Sequence, residues 1–199
     1  MLVVIEGIDG SGKSTQAKLL KADFLLAFPR YDKFFGKIIR YLLHRKYGQK
    51  INPYVLAFLF AADRLAAKPM IKRWLKEGKT VVLDRYTGSS QAHQGAKLTG
   101  AARQKLIDWI DWLENRIFKL PCPDQVFLLN LGPETSRKLL NARWRQKDAA
   151  EKDFDYQQKT YELYCQLAKQ QKWQIINCVK QGKLLTPKEI HEQIRSRLN

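Results

Sequence analysis

Short apolar runs alternate with helical patterns along this chain. Five runs rich in Val, Ile, Leu and Phe read as strands, at 2–6, 25–28, 80–84, 125–131 and 174–178. The apolar residues in Leu2-Val3-Val4-Ile5 and Val81-Val82-Leu83 are consecutive rather than alternating, as expected of parallel strands covered on both faces. Between them lie helical periods at 14–20, 34–45, 53–77, 99–120, 134–142, 156–171 and 187–198. In 99–120, Leu106, Ile110, Leu113 and Ile117 share one face; in 53–77, Pro69 predicts a kink or break; Thr186-Pro187 reads as a cap followed by a first-turn proline. The alternation predicts an α/β fold, a parallel five-stranded sheet flanked by helices, in a single domain spanning 1–199. The first crossover is the exception. From Ser14 to Phe28 there is little more than the roughly one dozen residues a parallel connection needs, so the second strand is expected to be short, displaced or absent.

The first strand runs into Gly7-Ile8-Asp9-Gly10-Ser11-Gly12-Lys13-Ser14-Thr15, which fits G-x-x-x-x-G-K-[ST] and opens a helix. Strand, glycine loop and helix together form a phosphate cradle: the glycines turn backbone N–H groups inward, and the helix N-terminus adds positive potential. Lys13 is placed to reach β- and γ-phosphates, and Ser14 to ligate Mg²⁺. The third strand ends in Asp84-Arg85-Tyr86. An acid at the carboxyl end of a buried parallel strand is positioned to hold the same Mg²⁺, and Arg85 turns a planar, bidentate cation into the same crevice.

Composition adds one unusual feature. Thirty-six Lys and Arg against 19 Asp and Glu give a net charge of +17. That balance fits a solvated basic surface or weak, non-specific nucleic-acid binding. No run approaches the length of a membrane span, the N-terminus lacks a signal peptide, and the three cysteines lack metal-ligand spacing, so a cytoplasmic protein with reduced thiols is expected. His44, His93 and His191 read as structural or surface residues, and no Ser-His-Asp set is present.

Taken in order, Glu6 to Gln16, Phe28-Pro29-Arg30-Tyr31, Phe60-Ala61-Ala62-Asp63-Arg64, Asp84-Arg85-Tyr86 with Ser89-Ser90-Gln91, and Arg143-Trp144-Arg145-Gln146-Lys147 make the chain resemble the thymidylate kinases, in the nucleoside-monophosphate kinase group. The resemblance covers nearly the whole length. It implies a P-loop kinase fold with a small lid at about 143–153, transfer of the γ-phosphoryl of ATP to dTMP with Mg²⁺, and a homodimer. It also implies roles: Asp9 near the sugar 3′-hydroxyl and the metal, Arg85 and Arg30 at the acceptor's phosphate, Phe60 stacked on thymine, Arg64 on a base carbonyl, and Ser89 and Ser90 near the base. Gly10-Ser11 stands where some members carry a loop arginine, which shifts catalytic charge to Arg143 and Arg145 in the lid. Three departures stand out: Arg30 comes one place early, His93 replaces an aromatic near the sugar, and the first crossover is short. Two alternatives remain at this stage: another small kinase acting on UMP, CMP or thymidine, and a basic P-loop protein that binds nucleic acid.

Overall fold

The computed structural model describes residues 1–43, 51–141 and 153–198. The elements run β1 (Leu2–Glu6), α1 (Lys13–Leu19), β2 (Phe24–Ala27), α2 (Phe34–Leu43), α3 (Pro53–Lys76), β3 (Val81–Asp84), α4 (Thr87–Gly95) and α5 (Gly100–Asp111). A π-helical turn (Trp112–Ile117) continues α5. There follow β4 (Gln125–Asn130), α6 (Pro133–Asn141), α7 (Phe154–Gln170), β5 (Gln174–Asn177), β6 (Val179–Lys180), β7 (Lys183–Leu184) and α8 (Pro187–Arg195).

All five main strands are parallel, in the order β2-β3-β1-β4-β5. The central strands β1 and β3 are buried at every residue, while the edge strands β2 and β5 are half-exposed. This is why the central runs are purely apolar and the edge runs are not. One face of the sheet packs Val3, Ile5, Phe127 and Ile176 against Ala17 of α1 and Ile190 and Ile194 of α8. On the other face, Leu2, Val4 and Leu83 meet Ala67, Ile71 and Trp74 of α3. Leu128 there joins Ala92 of α4 and Leu163, Tyr164 and Leu167 of α7.

The second strand is present, short and displaced: β2 pairs with β3 at the sheet edge rather than with β1. Seven residues of α1 complete the crossover, with Lys21 turning the chain at φ 47°.

Four local readings are corrected. Pro69 does not break α3, which runs as one helix from Pro53 to Lys76; Pro69 is exposed, where water can take the carbonyl it leaves unpaired. The periodicity predicts no helix over 87–95, yet α4 forms there from the weak helix formers Gly88, Ser89, Ser90, His93 and Gly95. Tertiary contacts supply what propensity does not. The Glu6 carboxylate accepts the backbone N–H groups of Tyr86 and Ser89 at the start of α4 (2.8 and 3.1 Å). Bare glycines let the helix approach its neighbours; a Cβ on Gly88 would lie 2.4 Å from the Trp173 ring. The β6–β7 hairpin, turned by Gln181 and Gly182 at φ 50° and 75°, has strands too short to give a period.

The fourth correction lies in 99–120. Residues 112–117 form a π-turn, marked by the Phe118 N–H bonding back to the Leu113 carbonyl at 2.8 Å. Each π step rotates the chain by less than the roughly 100° of an α-helix. The face shifts accordingly: Ile117, predicted inward, is 51% exposed, and Glu114 is fully buried. Lys68 Nζ donates to the Phe118 carbonyl (2.7 Å) and Lys119 turns left-handed at φ 47°, closing the segment before Pro121.

Among the described glycines, Gly36 permits the closest backbone approach. A Cβ there would lie 1.8 Å from the Arg30 carbonyl oxygen, where α2 packs on the loop after β2. In an open helix, Gly→Ala gains about 0.5–1 kcal/mol. Here Gly36→Ala is expected to lose about 1–3 kcal/mol through overpacking, read as a lower midpoint in urea denaturation. A stabilised variant would refute that packing.

Candidate active site

The P-loop bends through left-handed glycines, Gly10 at φ 82° and Gly12 at φ 92°, and Gly12 caps α1. Space forbids side chains at two of its positions. A Cβ on Gly7 would sit 2.8 Å from Ser11 Oγ, and one on Gly10 would sit 2.8 Å from Ser136 Oγ and 3.0 Å from Leu140. Helix α6 thus lies directly over the loop, and Ser136 Oγ donates to the Asp9 carbonyl. Ile8 sends its side chain into the core and its carbonyl to Lys13 Nζ, at 2.8 Å. Burial, and then the charge of Arg85, lower the Lys13 ammonium to a pKa of about 8. Thr15 is exposed on α1.

At the mouth of the sheet, Ser14 Oγ donates to Asp84 Oδ2 (2.5 Å). Asp84 Oδ1 is buried and has no hydrogen-bond partner among the described residues. A hydroxyl and a carboxylate side by side, with one carboxylate oxygen unsatisfied, fit a Mg²⁺ that keeps waters and phosphate oxygens for its other positions.

Arg85 adopts φ 73°, which swings its side chain back over the P-loop. Its Nη2 pairs with Asp9 Oδ1. Its Nη1 donates toward the Gly7 carbonyl (3.3 Å), Ser89 Oγ (3.3 Å), Tyr164 Oη (3.3 Å) and His93 Nε2 (3.2 Å). Because arginine only donates, His93 Nε2 is the acceptor and the ring proton sits on Nδ1, facing Tyr156 Oη at 3.1 Å. Tyr156 Oη in turn donates to the His93 carbonyl (2.9 Å). Burial and the neighbouring Arg85 lower His93 to a pKa of about 3, so it stays a neutral acceptor. His93 therefore belongs to the site rather than to the surface.

Glu6 anchors this cluster from below. Besides the two backbone groups of α4, it accepts Ser89 Oγ (2.6 Å) and Tyr164 Oη (3.2 Å). Burial raises its carboxyl above the usual carboxylate range, against the opposing pull of Ser89 and Arg85. Ser89 is thereby turned toward Glu6.

The residues expected at the acceptor's phosphate and base divide into two groups. Arg30 is clamped to Asp63 through its N–H (2.8 Å), Nε (3.1 Å) and Nη2 (3.0 Å), joining the loop after β2 to α3. Phe60 is half-buried one turn before Arg64 on α3. Arg64 is only 2% exposed and donates to Glu114 Oε2 (2.9 Å), Glu114 Oε1 (2.5 Å), Ser90 Oγ (2.6 Å) and the Tyr86 carbonyl (3.3 Å). Arg143 and Arg145 lie outside the described residues. Sequence reasoning assigned no role to Glu6, Asp63, Glu114, Tyr156, Tyr164 or Ser136. Glu6 and Asp63 lie within recognised motifs, but no motif marks Glu114, which the π-turn carries.

The geometry is that of a phosphate loop facing a strand-end acid and an arginine. Residues 5–194 match the thymidylate kinase family model. The thymidylate kinase of Mycobacterium tuberculosis is 34% identical over 185 residues, 85% of this chain and 86% of that protein. The probable thymidylate kinase of Methanocaldococcus jannaschii is 37% identical over 196 residues, 98% and 93% of the two chains. The solved thymidylate kinase of Candida albicans superposes with a TM-score of 0.77 at 27% identity, covering 98% of this chain and 89% of that one. With a family match running from the first strand into the last helix, this chain belongs to the thymidylate kinase family.

Proposed function

We propose that the chain transfers the γ-phosphoryl group of ATP to dTMP, giving dTDP and ADP. The observation that carries this reading is the phosphate loop set against Ser14, Asp84 and Arg85 in a chain that matches the family over residues 5–194. The loop backbone and Lys13 hold the polyphosphate. Ser14 and Asp84 would hold Mg²⁺, which would supply positive charge to the polyphosphate. Arg85, steadied by Asp9 and His93, meets the acceptor's phosphate, with Arg30 at its flank. Phe60, Arg64 and Ser90 meet the base, with Ser89 behind them, and Asp9 faces the sugar.

No general base is needed. A phosphate monoester has its second pKa at about 6, so the attacking oxygen is already largely ionised at neutral pH. The protein's work is positioning and charge stabilisation. We read the chain as one kinase domain in which Arg143 and Arg145 belong to a lid over about 143–153 and supply charge to the transferring group. We place the enzyme in the cytoplasm; among the described residues no helix is long and apolar enough to cross a membrane. We further read it as a homodimer, supported by exposed Tyr41 of α2 and Val55 and Phe58 of α3.

A coupled ADP-release assay across dTMP, dUMP, UMP and thymidine tests the activity. dTMP is expected to be turned over fastest, Lys13→Ala to lose transfer at unchanged thermal stability, and Arg143→Ala and Arg145→Ala to lower kcat more than they raise KM. Salt-sensitive oligonucleotide binding without dTMP turnover would favour the nucleic-acid alternative instead.

The lowered pKa of Lys13 has a thermodynamic signature. The unfolded chain, with Lys near 10.5, binds more protons than the folded one between pH 8 and that value, so stability of the nucleotide-free protein rises with pH across that window. Polyphosphate binding restores the ammonium. Calorimetry near pH 8.5 in buffers of different ionisation enthalpy is expected to show proton uptake on ATP binding, abolished in Lys13→Met. Equal apparent enthalpies across those buffers would contradict it.

Arg85→Ala is expected to weaken dTMP more than ATP, measured by separate titrations. Collapse of ATP affinity with dTMP unchanged would assign Arg85 to the other phosphate.

A further inference from the structure

The π-turn after α5 places a carboxylate where the helical period predicts none. Glu114 is completely buried, and three donors converge on it. Arg64 Nη2 reaches Oε1 at 2.5 Å, Arg64 Nε reaches Oε2 at 2.9 Å, and Thr87 Oγ1 from the first turn of α4 reaches Oε2 at 2.7 Å. The Arg64 guanidinium is thus gripped along one edge by a two-pronged carboxylate, the strongest geometry available to this pair of groups.

The remaining donors of Arg64 are nearly used up. A guanidinium carries five N–H groups. Nε takes one and Nη2 two, the second of these on Ser90 Oγ; Nη1 spends one on the Tyr86 carbonyl at 3.3 Å. Among the described contacts, one N–H on Nη1 is left to meet a base. A single donor reads a carbonyl only if the plane that carries it is fixed, and Glu114 and Ser90 fix that plane from two elements.

We propose that Glu114 is a positioning residue for base recognition. It holds the Arg64 guanidinium so that one Nη1 N–H is presented to the acceptor's base. The proposal rests on the reading above that the base lies against Phe60 and Arg64. The π-turn, with its smaller rotation per residue, carries Glu114. Within that turn Glu114 is fully buried while Ile117 is 51% exposed. Irregular helical turns of this kind concentrate at functional sites.

The test separates base recognition from general integrity. The affinity of 2-deoxyribose 5-phosphate, which keeps the sugar and phosphate but lacks a base, is compared by calorimetry with that of dTMP. The ratio of the two dissociation constants isolates what the base contributes. In Glu114→Gln, which keeps the shape but aims an amide donor at Arg64 and Thr87, the ratio is expected to shrink about tenfold or more, as for loss of a hydrogen bond from a charged group. The base-free phosphate and ATP are expected to bind as in the wild type. If dTMP and the base-free phosphate weaken equally, or neither changes, Glu114 does not position the base contact and the proposal is overturned. Should Glu114→Gln not fold, Glu114→Asp decides by the same ratio; it keeps the ion pair's charge and withdraws the carboxylate by one methylene.

Phe60→Ala and Arg64→Met separate the two levels of the reading. If neither changes the ratio, the base site itself lies elsewhere. If both shrink it and the Glu114 variants do not, only the positioning role fails.

Discussion

Two cations, a buried lysine and a half-buried arginine, lie side by side at the carboxyl end of this sheet, and the rest of the site is organised around keeping them there. Arg85 is close enough to lower the Lys13 ammonium's tendency to stay charged; Lys13 is buried, and the Arg85 side chain is largely covered. An uncompensated buried charge costs several kcal/mol, so carboxylates must stand beside them. Glu6, Asp9 and Asp84 do so, each from the end of a strand or from the loop that follows one. Glu6 then does a second task. By accepting the first N–H groups of α4 and the hydroxyls of Ser89 and Tyr164, it joins β1, α4 and α7 at one atom pair. The helix of glycines and serines that carries Ser89, Ser90 and His93 exists because this carboxylate and the close packing around Gly88 and Gly95 hold it.

The same balance explains the charge distribution. Within the site, Lys13, Arg30, Arg64 and Arg85 are matched by Glu6, Asp9, Asp63, Asp84 and Glu114. The large positive excess of the chain therefore lies outside it, on helix surfaces such as those bearing Lys72 and Lys76. Two anionic nucleotides entering a site whose cations are already paired need charge brought in with them or from elsewhere. A metal ion at Ser14 and Asp84 and the arginines at 143 and 145 are the sources our reading assigns.

Arginines that look alike in sequence have different work. Arg30 fastens a loop to α3 through Asp63, with a fully buried acid as its partner. Arg64 is held edge-on by Glu114. Among these three, Arg85 hangs over the loop on a left-handed backbone, its Nη2 paired with Asp9 and its Nη1 shared among several acceptors at 3.2–3.3 Å. A guanidinium nitrogen held only by long contacts, as Nη1 is here, can exchange them for a phosphate at less cost than one locked in a short bidentate pair.

The sequence by itself determined the sheet, the phosphate loop and the order of the site. Consecutive apolar residues mark strands covered on both faces, and a glycine loop between strand and helix has one physical reading, so β1, β3, β4 and the cradle at 7–15 were legible without coordinates. The motifs around Arg30, Arg64 and Arg85 were equally visible as residues. What they touch was not, because an arginine's partner is chosen by elements distant in the chain: Asp63 for Arg30, Glu114 for Arg64, Asp9 and His93 for Arg85. Tertiary structure alone decided that weak helix formers would make α4, since its support comes from Glu6 and Trp173 rather than from propensity. It alone decided that Glu114 and not Ile117 would turn inward. A period read from sequence assumes a constant rotation per residue, and the π-turn changes that rotation in the one place where a buried arginine needs a carboxylate.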